Sequence, residues 1–138
     1  MHPKAKELQE RTRAFASRVI EYCDSLPKSP AGRKIVEQLV DSAGAVDSNY
    51  RATCRARSLK EFIAKIGVAA EEADESKGWL LLLVESRLAT SESAHDLIQE
   101  ADELVAIFVA SRKTADVRRR RQEQLKKQKR PKQLTNGE

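Results

Sequence analysis

A chain of 138 residues with five glycines, four prolines and 34% charged side chains suits a single all-α domain, large enough to fold without disulfides or a structural metal. Its longest apolar run, Trp79 to Val84, falls far short of the ~20 residues that a membrane-spanning helix requires. The net charge of +5 is unevenly held: between Arg112 and Lys132 eleven basic residues face only Asp116 and Glu123, a local +9, whereas residues 1–111 carry 15 basic and 18 acidic groups and sum to −3.

The first helix is expected from about Pro3 to Leu26, because Leu8, Phe15, Val19, Tyr22, Cys23 and Leu26 recur at steps that place them on one stripe. Leu26-Pro27 stops it, since the residue before a proline is pushed out of the α region. Ser29-Pro30 then offers a capping side chain followed by proline at the first helical position. Ile35, Val36, Leu39, Val40, Ala43, Val46 and Tyr50 form the second stripe. The third start is the sharpest, because Ser58 and Glu61 have the spacing of a reciprocal capping box. Phe62, Ile63, Ile66, Ala69, Ala70, Ala73, Leu80, Leu83 and Val84 continue that helix to about Arg87.

After the polar turn Thr90-Ser91-Glu92-Ser93, a fourth stripe runs through Leu97, Ile98, Ala101, Leu104, Val105, Phe108 and Val109, and the core is expected to end near Ser111. Beyond that point the apolar period fades to Ala115, Val117 and Leu125. Residues 112–138 therefore read as a basic extension, either a solvated helical rod or a frayed end, with Pro131–Glu138 disordered. Short connections force neighbouring helices to run antiparallel, so the expected fold is an up-down-up-down four-helix bundle over residues 1–111. Gly44, Gly67 and Gly78 each cost a helix about 1 kcal/mol relative to alanine, and a packing reason is expected for them. Together with Ala43, Ala69, Ala70 and Ala73, Gly44 and Gly67 are placed on inward stripes where backbones approach closely.

Three stretches carry a resemblance: Leu39-Val40-Asp41-Ser42-Ala43-Gly44-Ala45-Val46-Asp47-Ser48-Asn49-Tyr50-Arg51; Arg55-Ala56-Arg57-Ser58-Leu59-Lys60-Glu61-Phe62-Ile63-Ala64-Lys65; and Glu71-Glu72-Ala73-Asp74-Glu75-Ser76 with Trp79-Leu80. With these the chain resembles the four-helix bundle protein family, also called the 23S rRNA intervening-sequence protein family. That family is similar to the accessory variability proteins of diversity-generating retroelements. The resemblance implies a ring-like homopentamer and, in the accessory proteins, a basic surface that engages a reverse transcriptase and nucleic acid. The family's usual Asn-Ile-x-Glu-Gly reads Asn49-Tyr50-Arg51-Ala52-Thr53 here, so any role specific to that acidic residue and glycine does not carry over. The Arg-rich tail is not a family signature.

Candidate binding residues fall into two basic groups. Arg51, Arg55, Arg57, Lys60 and Lys65 cluster around the turn between the second and third helices, either as phosphate contacts or as ion-pair partners of Glu71, Glu72, Asp74 and Glu75. Arg118, Arg119, Arg120, Arg121, Lys126, Lys127, Lys129, Arg130 and Lys132 form the second group, which offers sequence-independent affinity for RNA or DNA through counterion release. The alternative is a solubilising end, and the absence of aromatics in it argues against base stacking there. Asn49, Tyr50, Ser58, Glu61 and Phe62 are the most family-like group, read chiefly as architecture: capping by Ser58 and Glu61, core packing by Tyr50 and Phe62.

No complete catalytic constellation is present in the sequence. Glu92 and His95 have the Glu-x-x-His spacing of di-metal bundles, but the one other histidine is His2, so no metal, cofactor or enzymatic activity is expected. Cys23 and Cys54 lack CxxC spacing and sit near no histidine, and reduced thiols in the cytoplasm are the default. The expected function is a non-catalytic, homo-oligomeric, nucleic-acid-associated scaffold. The rival is a protein-interaction adaptor, for example for a reverse transcriptase, with the tail as an auxiliary element.

Overall fold

Every helix begins where a side chain takes up an N–H of the first turn that the helix itself leaves free. The computed structural model describes residues 1–129, and among these it forms four helices and no strand. Helix α1 (Pro3–Asp24) starts with His2 Nδ1 accepting from the Lys4 N–H at 3.1 Å. Helix α2 (Pro30–Cys54) is capped by Ser29, whose Oγ accepts from the Gly32 N–H at 3.0 Å. Ser58 caps α3 (Leu59–Glu85) in the same way through the Glu61 N–H at 3.0 Å. Thr90 does so for α4 (Ser91–Lys129), accepting from the Ser93 N–H at 3.1 Å. The reciprocal half of the capping box does not form as expected. The Glu61 carboxylate accepts from the Arg57 N–H at 3.4 Å, one residue short of Ser58, and lies 3.5 Å from Lys65.

Helix α3 ends two residues earlier than its sequence suggests, in a turn that needs a left-handed residue. Arg87 takes that role with φ 61°. Its N–H bonds the Val84 carbonyl at 3.0 Å and the Leu88 N–H bonds the Leu83 carbonyl at 2.9 Å, the paired bonds of a Schellman cap. Leu88 then packs against the core. A side chain at such a position costs about 1–2 kcal/mol that glycine avoids, partly offset by glycine's greater freedom when unfolded. Arg87→Gly should therefore raise stability by about 0.5–1 kcal/mol in urea unfolding. No gain would mean that contacts of the Arg87 side chain offset the strain.

The four apolar stripes meet in one core. Phe15 and Val19 of α1, Leu39 and Val46 of α2, Ile66, Leu80 and Leu83 of α3, and Leu104 and Phe108 of α4 are all fully buried. Each helix packs on its neighbours in chain order, and α1 closes the ring against α4 more sparsely; among the described residues the backbones of the diagonal pairs do not approach within 8 Å, and α2 reaches α4 through the side chains of Tyr50 and Phe108. Polar ties cross the seams. Ser42 and Ser76 share a buried hydrogen bond of 2.8 Å between α2 and α3. Thr12 of α1 donates to Asp47 of α2 at 3.1 Å, and Arg13 and Arg51 approach the same carboxylate at 3.2 and 3.5 Å. Arg11 reaches Glu100 and Glu103 and so fastens the looser α1/α4 seam, which a 2.9 Å bond between the Tyr22 and Ser93 hydroxyls ties again about three turns further along α1.

The glycines correct one expectation. Gly67 is buried beneath Arg112, whose guanidinium would lie 3.6 Å from an added Cβ, whereas Gly44 and Gly78 face outward with nothing within 4 Å. At 3.6 Å an added Cβ on Gly67 would make ordinary van der Waals contact with a flexible side chain, so packing within the chain requires glycine at none of the three positions. Gly44→Ala and Gly78→Ala should each stabilise the isolated chain by about 1 kcal/mol, the full difference in helix propensity, as read by thermal or urea unfolding. A loss instead of a gain would show that these faces are covered by another molecule in solution.

Helix α4 runs on past Ser111 without a break. Ala115 is its last buried residue, and residues 116–129 project from the end of the bundle for about 20 Å at 1.5 Å per residue. Arg130 and the stretch Pro131–Glu138 lie outside the described residues. No helix among the described residues is long and apolar enough to cross a membrane.

Candidate nucleic-acid interface

Antiparallel connectivity decides where the two basic groups meet. The α2–α3 turn and the start of α1 lie at the same end of the bundle, and α4 crosses that end on its way out. There the side chains enclose an open cleft of about 770 Å³ lined by, among others, Tyr50, Cys54, Arg57, Phe62, Thr114 and Arg118. The cleft brings Arg57 of the turn and Arg118 of the tail to one site, although 61 positions separate them in the chain. Its floor is apolar. Tyr50 is 6% exposed and stacks on Phe108 with ring centroids 5.5 Å apart, and Phe62 is half-buried against the core. Burial, reinforced by the neighbouring Cys54 thiol, holds the Tyr50 phenol protonated well above its ordinary range.

The basic residues differ in their engagement. Arg51 is tied to Asp47 and Lys65 to Glu61, whereas Arg55, Arg57 and Lys60 are exposed and their side-chain charges have no carboxylate within 4.0 Å among the described residues. Among the described residues, none of this group forms an ion pair with Glu71, Glu72, Asp74 or Glu75. The Glu72 carboxyl is raised above the usual range, first by burial and then by repulsion from Glu75 and Glu71. In the projecting part of α4, Arg119 pairs with Glu123 at 3.2 Å and Arg120 with Asp116 at 2.9 Å. Arg118, Arg121, Lys126, Lys127 and Lys129 are exposed and have no such partner among the described residues. At about 100° per residue, Arg118, Arg121, Lys126 and Lys129 fall within roughly 140° of arc, so one flank of the rod carries a cationic stripe, interrupted by the exposed Leu125.

The family-like residues divide by role. Asn49 donates from Nδ2 to the Ala45 carbonyl at 2.8 Å, Ser58 caps α3, and Tyr50 and Phe62 pack while also lining the cleft. Glu92 and His95 are both exposed on the first turns of α4. Cys23 is buried, which pushes its thiol up to about 11, and Cys54 is half-buried at the cleft. Two features escape a linear reading. Asp47, buried and shared by Thr12, Arg13 and Arg51, looks in sequence like one more charge in a mixed segment. The meeting of Arg57 with Arg118 has no signal in local spacing at all.

The sequence profile described as "23S rRNA-intervening sequence protein" matches residues 4–110, spanning α1, α2, α3 and the bundle part of α4. The chain belongs to that family. The 23S rRNA-intervening sequence profile stops short of the cationic stripe, which begins at Arg118. Among solved structures, a protein of unknown function from the S23 ribosomal protein family of Bacteroides thetaiotaomicron is similar, with a TM-score of 0.73 at 24% identity, covering 80% of this chain and 98% of that one. At that identity the likeness concerns the fold. No curated protein matches the chain.

Proposed function

We propose that this chain is a non-catalytic, cytoplasmic, nucleic-acid-associated protein that holds phosphate backbones with the basic end of its bundle. The observation that carries this reading is the confluence at one end of the molecule: exposed Arg55, Arg57 and Lys60 at the α2–α3 turn, and the cationic stripe of α4 leaving from beside them. Guanidinium groups fork onto phosphate oxygens, and residues without carboxylate partners are free to do so at no cost in lost ion pairs. The family description, with its reference to a 23S rRNA intervening sequence, agrees with a nucleic-acid context. Self-association, which the resemblance implies as a pentamer, would present several such ends at once and turn weak contacts into avidity.

A second reading rests on α3, where Val68, Leu81 and Leu82 are more than a third exposed. Such apolar groups favour a protein contact, either with further copies of the chain or with a partner such as a reverse transcriptase. In that reading a co-purifying protein survives nuclease and high salt.

The test of the first reading is binding of the full chain to unrelated RNA and duplex DNA across a salt series. The expected result is a linear fall of log affinity with log salt, at a slope of about 0.9 per duplex phosphate engaged. Binding that ignores salt, or no binding at all, would overturn it and leave the protein-adaptor reading.

A further inference from the structure

Electrostatic contact alone does not use the apolar floor of the cleft. A cationic rod binds duplex and single strand alike, and the tail carries no aromatic residue. At the base of that rod, however, α2 and α3 supply Tyr50 and Phe62, and the turn and α4 supply Arg57 and Arg118 on the rim. An apolar hollow of about 770 Å³ with two cations at its edge has the chemistry of a site for a flat apolar group that carries an anion. An unpaired nucleobase with its own phosphate fits that description, and a paired base does not, because its faces are already stacked within the helix.

We infer that the cleft receives one unstacked base of a single-stranded or looped nucleic acid, packed against Phe62, with the adjoining phosphate held between Arg57 and Arg118. This deepens the proposed function and rests on it. The rod supplies sequence-independent affinity and the cleft selects strands that can offer a free base. Three features support a base over an acidic peptide. Arg57 and Arg118 come to the cleft from different elements, the α2–α3 turn and α4. The ring of Phe62 is half-buried, held in place by the core while presenting an edge or face to the opening. Arg118 continues along α4 into the Arg121–Lys129 stripe, which gives the flanking phosphates of one strand a path onward.

The experiment uses the full chain and two variants, with a single strand of about 12 nucleotides carrying one 2-aminopurine, and a duplex of the same length. Phe62→Leu keeps apolar bulk but removes the stacking ring; Thr114→Trp, at an exposed position on the cleft wall, fills the hollow without touching the core. Helix content by circular dichroism checks that both remain folded. The expected result is quenching of 2-aminopurine by the wild-type protein, roughly tenfold weaker single-strand binding by either variant, and unchanged duplex binding. Single-strand affinity and quenching that neither variant alters would overturn the assignment of the cleft while leaving the basic end intact as a phosphate grip. Absence of binding to both strands in the wild type would overturn the parent reading and this one together. An acidic peptide that competes with the single strand for the cleft and binds more tightly would replace the base as its occupant.

Discussion

Phe108→Ala should lower the stability of the protein by about 3–5 kcal/mol, seen as an early urea midpoint with little change in slope. Phe108 is fully buried on α4 and its ring stacks on Tyr50 of α2 across the bundle. Truncation removes its burial, opens a cavity between α2 and α4, and forfeits the aromatic pair, which is itself worth about 0.5–1.5 kcal/mol. Against a total of about 5–15 kcal/mol for a domain of this kind, that is a large share. Phe108→Leu, which keeps most of the volume, should cost clearly less. A cost below about 1 kcal/mol for the alanine variant would mean that the cleft end of the bundle is not closed by this pair.

Neutralising Arg121, Lys126, Lys127 and Lys129 together to glutamine should leave folding unchanged and remove most of the salt-dependent binding. None of the four has a carboxylate partner among the described residues, and all are exposed on the projecting part of α4, so their charges hold nothing in the folded state. If each engages one duplex phosphate, the slope of log affinity against log salt should fall by up to about 3.6, at roughly 0.9 per contact. At low salt the affinity should drop by orders of magnitude. The matched control is Arg119→Gln with Arg120→Gln, which removes residues already paired with Glu123 and Asp116 and should have the smaller effect. An unchanged slope in the quadruple variant would place the nucleic-acid contact elsewhere or dismiss it.

Helix α2 and helix α4 show what could be read in advance. The Ser29-Pro30 start of α2 and its stripe through Leu39, Ala43, Val46 and Tyr50 are local matters of capping and period, and each of those four apolar residues is buried. The stripe of α4 was equally legible to Phe108, but the end of the helix was not. Continuation from Ser111 to Lys129 depends on Ala115 finding a place under the bundle end and on pairs such as Arg120 with Asp116 in the next turns. Apolar period alone is silent once few apolar residues remain. The glycines erred for a related reason: period assigned Gly44 to an inward stripe, but a residue without a side chain leaves no mark of which way its position faces.

By itself the sequence determined the number and type of the helices, their caps at Ser29 and Ser58, the core stripes, and the concentration of positive charge after Arg112, because all of these depend on residues within a few positions of one another. Tertiary structure alone decided that Asp47 anchors α1 through Thr12 and Arg13, that Arg87 terminates α3 in a left-handed turn, and that Arg57 and Arg118 share one cleft floored by Tyr50 and Phe62. Those facts depend on how antiparallel helices are set against each other in register, and that register is chosen by the packing of the whole core, with no local pattern to announce it.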